Sequence, residues 1–111
     1  MTNQEFENLI EDILSKEAAL RDIKGKEYGD SYDRLLNFKE IALFTGLSKS
    51  DVCFLYLMKH LQSIGLAIKD REYKKRWFWH DEHGNEGLKQ RIADARNYLL
   101  LLAACIEEET K

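Results

Sequence analysis

The sequence predicts an all-α fold: one domain over residues 1–111, built as an antiparallel four-helix bundle with one long charged and aromatic loop between the third and fourth helices. Three observations carry this expectation. Apolar residues recur in alternating steps of three and four, the spacing that gathers them on one face of a helix. Proline is absent from all 111 residues, so no ring breaks a helix from within. Glycines and short polar residues interrupt the pattern at three places, leaving four helical stretches.

The first helix is expected over about 3–23, with Phe6, Leu9, Ile10, Ile13 and Leu20 on one side and Glu5, Glu7, Glu11 and Lys16 mostly on the other. Gly25 and then Tyr28-Gly29-Asp30 punctuate the chain. Asp30 or Ser31 is the expected cap of a second helix, which runs through Leu35, Phe38, Ile41, Ala42 and Phe44 to Thr45, where Gly46 ends it. Ser48 or Ser50 caps a third helix reaching about Lys69, whose seam is Phe54, Leu57, Leu61, Ile64 and Ile68. Its opposite side also carries Val52, Leu55, Tyr56 and Leu66, and a helix apolar nearly all round is either central or covered by another subunit. The fourth helix, about 86–109, repeats the alternation in Leu88, Ile92, Ala95, Leu99, Leu102 and Ile106. The connection over 70–85 is charged and aromatic, and its end is a candidate short hairpin.

Composition limits the function classes. Apolar residues make up 44% and charged residues 33%, a globular profile long enough for one modest core. The longest apolar runs, such as 98–106, are too short to cross a bilayer. The acidic, amphipathic N-terminus is not a signal peptide, so a cytoplasmic location without membrane association is expected. A net charge of −3 argues against a general duplex-DNA binder. Cys53 and Cys105 sit in apolar helical runs and read as small buried hydrophobes.

Several residues could carry function. On the fourth helix Arg91, Asp94, Tyr98, Leu101 and Cys105 form a second line about 100° from the seam, which is either an ion pair with a tyrosine at the bundle edge or the polar wall of a pocket. Lys59 lies on an otherwise apolar helix, where an unpaired ammonium is costly; a carboxylate, a ligand phosphate or escape of the amine to water would each resolve the cost. The loop segment from Tyr73 to His80, with Lys75, Arg76, Trp77 and Trp79, interleaves cations with aromatics. Such a segment clamps a nucleotide by stacking and charge, or its tryptophans cap the bundle. His80, Asp81 and His83 lack a fourth metal ligand. The run from Ile41 to Val52 fits a helix-turn-helix spacing, but its second helix is apolar where base edges demand polar side chains, so no sequence-specific DNA binding is expected. No nucleophile–base arrangement and no glycine-rich phosphate loop is present.

The segments Lys26-Glu27-Tyr28-Gly29-Asp30, Asn37-Phe38 with Ile41-Ala42, Ser50-Asp51-Val52, Met58-Lys59 and Asp94 with Asn97-Tyr98 together resemble a group of small helical proteins common in phages. These are described as nucleotide-modification-associated domains or domains of unknown function. The resemblance covers roughly 24–104 and implies an all-α fold with a role connected to nucleotides. Carried over by position, it makes Tyr28, Asp30, Asn37, Lys59, Asp94 and Tyr98 ligand-binding candidates. His60 and the long 70–85 loop depart from the pattern. A more distant similarity is to helical nucleoside-triphosphate pyrophosphatases, which hold Mg²⁺ with E-x-x-E and E-x-x-D pairs. Glu7 with Glu11 and Asp30 with Asp33 are the nearest counterparts, and the carboxylate set is incomplete.

The reading that joins these features is a phage-type nucleotide-binding protein, without cofactor and assembled as a homo-oligomer, that sequesters a host signalling nucleotide and so blocks a defence response. In it Lys59, Arg91, Lys75 and Arg76 meet phosphates, Tyr28, Tyr98, Trp77 or Trp79 stack on a base, and Asn37 and Asp94 read polar edges. The alternatives are a Mg²⁺-dependent nucleotide pyrophosphohydrolase using Asp30, Asp33 and Asp94, and an inhibitor acting by protein–protein contact.

Overall fold

A computed structural model describes the backbone of residues 1–28 and 33–111, and their side chains apart from those of 20, 21, 23–28 and 72–74. It is all-helical, with four helices and no strand among the described residues: α1 (Asn3–Tyr28), α2 (Leu36–Thr45), α3 (Lys49–Lys74) and α4 (Leu88–Glu109). The expected helices are all present, but their ends differ. α1 and α3 each run about five residues further than expected: α1 continues through Gly25, and α3 meets no breaker before Lys74. α3 stops only where Lys75 turns left-handed at φ 54° and its N–H closes on the Arg71 carbonyl.

α2 begins at Leu36, later than expected, and the two proposed caps, Asp30 and Ser31, lie outside the described residues. The Asp33 carboxylate accepts the Leu35 N–H at 3.0 Å. Gly46 ends α2 in the left-handed region (φ 72°), with its N–H on the Ala42 carbonyl. Two residues on, Ser48 and Asp51 form a reciprocal capping box that starts α3. The corner between α2 and α3 measures 102°, inside the range of a helix-turn-helix. No single helix among the described residues is long and apolar enough to cross a membrane; α2 and α3 pass that test only together, as this bent pair.

α3 packs on α4, α4 on α1, and α2 on α3. The core gathers Leu35, Phe38, Val52, Cys53 and Cys105, with Tyr56, Tyr98 and Leu101 packed around them. α3 and α4 run in opposite directions: Ser50 near the start of α3 bonds Glu109 at the end of α4, and Arg91 near the start of α4 donates to the Ser63 carbonyl. α1 is held to the other flank of α4 by the ion pairs Asp12–Lys89 and Glu17–Arg96.

The expected seam of α4 is not its most deeply packed side. Leu88 and Ala95 are buried, but Leu99 and Ile106 are about half exposed, whereas Asp94, Asn97 and Cys105 are buried. The Arg91–Cys105 line faces inward because α3 approaches there and α1 takes the opposite flank, leaving the apolar seam between them open. The same holds on α3, where Phe54, Leu61 and Ile68 are open and Val52, Cys53 and Leu57 form the core.

The 75–87 connection forms no strand. Its end is a tight turn with one bridge, Glu82 to Asn85, across His83 (φ 50°) and Gly84 (φ 78°). This two-residue turn with both central φ values positive is the hairpin type that favours glycine. The connection also caps α4. Phe78 and Trp79 carbonyls accept the Leu88 and Lys89 N–H groups, and the Asp81 carboxylate accepts that of Gly87 at 2.7 Å.

Candidate functional site

Among the described residues, a recess lies in the corner between α2 and α3. It is a cleft of about 650 Å³ walled by Ile41, Thr45 and Leu47 from one side and by Val52, Leu55, Tyr56, Met58, Lys59 and Gln62 from the other. It exists because Gly46 turns the chain sharply and the short α2 leaves the middle of α3 uncovered. Its volume falls in the range of small-molecule sites, which are mostly apolar with a few placed polar groups. Here those groups are Lys59, Gln62, Thr45 and the Tyr56 hydroxyl.

Tyr56 belongs both to this cleft and to a cluster of rings behind it. Its ring lies 6.0 Å from Phe38 and 6.1 Å from Tyr98, centroid to centroid. Tyr98 stacks on His60 at 4.6 Å with the planes 30° apart, and Phe38 meets Tyr98 edge-on. The spacing of Tyr56 and His60, one helical turn on α3, sets both against Tyr98 of α4. Lys59 holds its ammonium 5.6 Å from the Tyr56 ring centroid, a cation over an aromatic face. Lys59 is exposed, so the expected cost of a buried ammonium does not arise: its line on α3 points to the outer rim of the cleft.

The other expected site residues are distributed as follows. Asp94 and Tyr98 share the inward face of α4, with Asp94 buried and Tyr98 half-buried. Arg91, on the same line, is engaged with the Ser63 carbonyl at 3.3 Å. Asn37 is half-buried in the first turn of α2. Tyr28 is the last residue of α1 and Asp30 follows it; the Tyr28 side chain and all of Asp30 lie outside the described residues.

The loop cations and aromatics are grouped with one another rather than with the cleft. Arg76 forms a two-pronged pair with Glu82 at 3.3 and 3.1 Å, Arg71 stacks on Trp77, and Lys89 approaches Trp79. Lys75 is an exposed helix cap. About fifteen residues of α3, roughly 20 Å at the helical rise, separate Lys59 from this loop. A single ligand of mononucleotide size does not meet both. The segment around Trp77 and Trp79 forms no strand; the Phe78 and Trp79 carbonyls are held as a cap on α4.

Three polar residues were not singled out by sequence. Glu17 is only 1% exposed and pairs with Arg96. Its signal was its place in the apolar line of α1, four residues after Ile13. His60 was noted only as a departure, although its spacing from Tyr56 foretells the stack. Asn97 is 3% exposed, and its Oδ1 has no hydrogen-bond partner among the described residues.

Electrostatics mark the structural pairs more than the cleft. The Lys39 hydrogen bond and the Leu35 N–H hold the Asp33 carboxyl below its ordinary value, and Lys39 is raised in turn, first by Asp33 and then by Glu108. Glu108 is lowered by Lys39 and Lys49. Asp33 is thus engaged with the Leu35 N–H and in an ion pair with Lys39. Burial pushes the Cys53 thiol up to about 12 and raises Cys105 as well, which keeps both protonated and unreactive. Among the described residues no three His, Cys, Asp or Glu side chains are grouped to hold a metal ion.

No protein-family model matches the chain, and no curated protein and no solved structure matches it either.

Proposed function

We propose that the chain binds a nucleotide in the α2–α3 cleft and holds it without converting it, in the manner of a phage-type protein that sequesters a host signalling nucleotide in the cytoplasm. The reading takes the chain as a homo-oligomer, with α3 and α4 antiparallel and α2 turning from α3 at 102° rather than lying antiparallel to it. The observation that supports it is the Lys59 ammonium over the Tyr56 ring at the edge of a cleft of about 650 Å³. A flat heterocycle gains from an apolar slot with an aromatic wall, and a phosphate from a solvent-facing cation beside it. His60 and Tyr98, stacked behind Tyr56, fix the orientation of that wall. Of the wider site expected from sequence, this one keeps Lys59 in its wall and Tyr98 behind Tyr56, and leaves the loop cations out.

A thermal-shift screen against mono-, di- and cyclic nucleotides, with and without Mg²⁺, tests the reading when followed by chromatography of the recovered ligand. A nucleotide should raise Tm without Mg²⁺ and return intact. Lys59→Ala, a change at an exposed side chain, should weaken that nucleotide at least about tenfold, the loss of one charge-assisted contact. Metal-dependent conversion of the nucleotide would replace this reading with the hydrolase, and the absence of any shift would remove both.

A further inference from the structure

We propose that a second copy of this chain docks on the open seam formed by α3 and α4, giving a two-fold dimer whose interface is a four-helix layer. The seam has three strands of support.

The first is pattern. Phe54, Leu61 and Ile68 on α3 are each seven residues apart, as are Ile92, Leu99 and Ile106 on α4. Because the two helices run in opposite directions and meet through Cys53 and the Tyr98 carbonyl, the helical period turns both rows to the same side of the pair, away from α2. Phe54, Leu61, Ile68, Leu99 and Ile106 are between 45% and 52% exposed, over a floor of buried Leu57 and Ala95. No charged residue stands in either row. Two antiparallel helices with heptad-spaced apolar rows are the half of a four-helix layer, and an uncharged surface of this kind is complementary to itself under a two-fold axis.

The second is area. A folded monomer of 13.1 kDa exposes about 6,400 Å² by the usual scaling with mass, whereas this chain exposes 8044 Å². The excess is about twice the 800 Å² that each partner contributes to a standard interface. The radius of gyration, 16.0 Å, likewise exceeds the roughly 13 Å of a compact chain of this length.

The third is Gly65. It sits in the middle of α3 beside Leu61 and Ile68, where glycine weakens a helix. A side chain there would meet nothing within 4 Å in this chain, so internal packing gives no reason for it. A second helix crossing close by does.

This inference does not depend on the nucleotide reading, since none of Phe54, Leu61 and Ile68 lines the cleft. Sedimentation equilibrium of the full chain tests it across a concentration series. The wild type should weigh about twice the chain. Gly65→Arg, whose Cβ would meet nothing within 4 Å inside the chain, should raise the dimer dissociation constant at least about tenfold. Leu61→Glu with Leu99→Glu should give a monomer of unchanged helical circular dichroism, whereas Phe44→Glu, on the cleft side, should leave the dimer intact. A wild type that is monomeric at about 100 µM, well above the micromolar constants of standard interfaces, overturns the proposal. So does association that survives Gly65→Arg unchanged, or that is lost with Phe44→Glu.

Discussion

Glu17 shows what one residue can reveal. It occupies an apolar position of α1 yet is buried, because the Arg96 guanidinium reaches it from α4. Removing Arg96 withdraws one group that compensates the buried Glu17 carboxyl. Arg96 is half exposed, so water replaces part of what it supplies, and Arg96→Ala should cost about 1–3 kcal/mol, at or below the usual penalty for a fully buried pair. Urea denaturation at neutral pH measures this; a change inside the error of the midpoint would mean that Arg96 contributes only at the surface. The two cysteines are simpler. With both thiols buried and held protonated, a thiol reagent at pH 8 should label the native protein only as fast as it opens, and labelling should become immediate in denaturant.

At the scale of elements, the helices were legible in the sequence because periodicity and punctuation agree. Gly46 is the expected stop and Ser48 or Ser50 the expected start; Gly46 and Ser48 act so. Ser48→Ala removes one half of the capping box and should cost about 1 kcal/mol, typical of a lost N-cap. A midpoint unchanged from wild type in thermal unfolding would show that α3 nucleates elsewhere. The ends of α1 and α3 were less legible, since charged stretches such as Asp70-Arg71-Glu72 continue a helix as readily as they leave it. The start of α4 falls within two residues of its expected place, but what caps it was hidden for a different reason. Its cap comes from carbonyls of the preceding loop, which no side-chain signature announces. That cap requires Gly87, because a side chain there would collide with the Trp79 and His80 carbonyls. Gly87→Ala should therefore destabilise by about 1–3 kcal/mol, the scale of overpacking, whereas Gly65→Ala should be neutral or stabilising by up to about 1 kcal/mol in any form where the seam is free. Of the candidate site, the sequence revealed which residue types were available, and it could not reveal that α3 keeps Lys59 and the tryptophan loop apart, since that distance depends on where the helix ends.

Across the whole molecule, the short α2 is tied to the far end of α4 by a set of charges, and this predicts how stability responds to pH. Lys39 reaches Asp33 at 2.7 Å and Glu108 at 3.0 Å, while Lys49 reaches the same Glu108 oxygen at 3.3 Å. The carboxyls of Asp33 and Glu108 are lowered from ordinary values of 3.8 and 4.5, so their contribution is complete above those values and is lost as pH falls through the lowered ones. Lys39 is raised above 10.5, so its contribution is complete below that value and disappears as pH climbs through the raised one. Stability from this set should therefore form a plateau between about pH 5 and pH 10, with an acid limb carried by two carboxylates and an alkaline limb carried by one amine. Lys39→Ala removes the partner common to both carboxylates. It should lower the urea midpoint on the plateau and flatten the acid limb, bringing mutant and wild type together near pH 2. Because these groups are solvent-exposed, added salt should shrink the difference at pH 7. If the two proteins instead differ equally at pH 2 and pH 7, Lys39 acts through packing of its methylene stem, and α2 is held in place by Phe38 and Leu35 in the core rather than by charge.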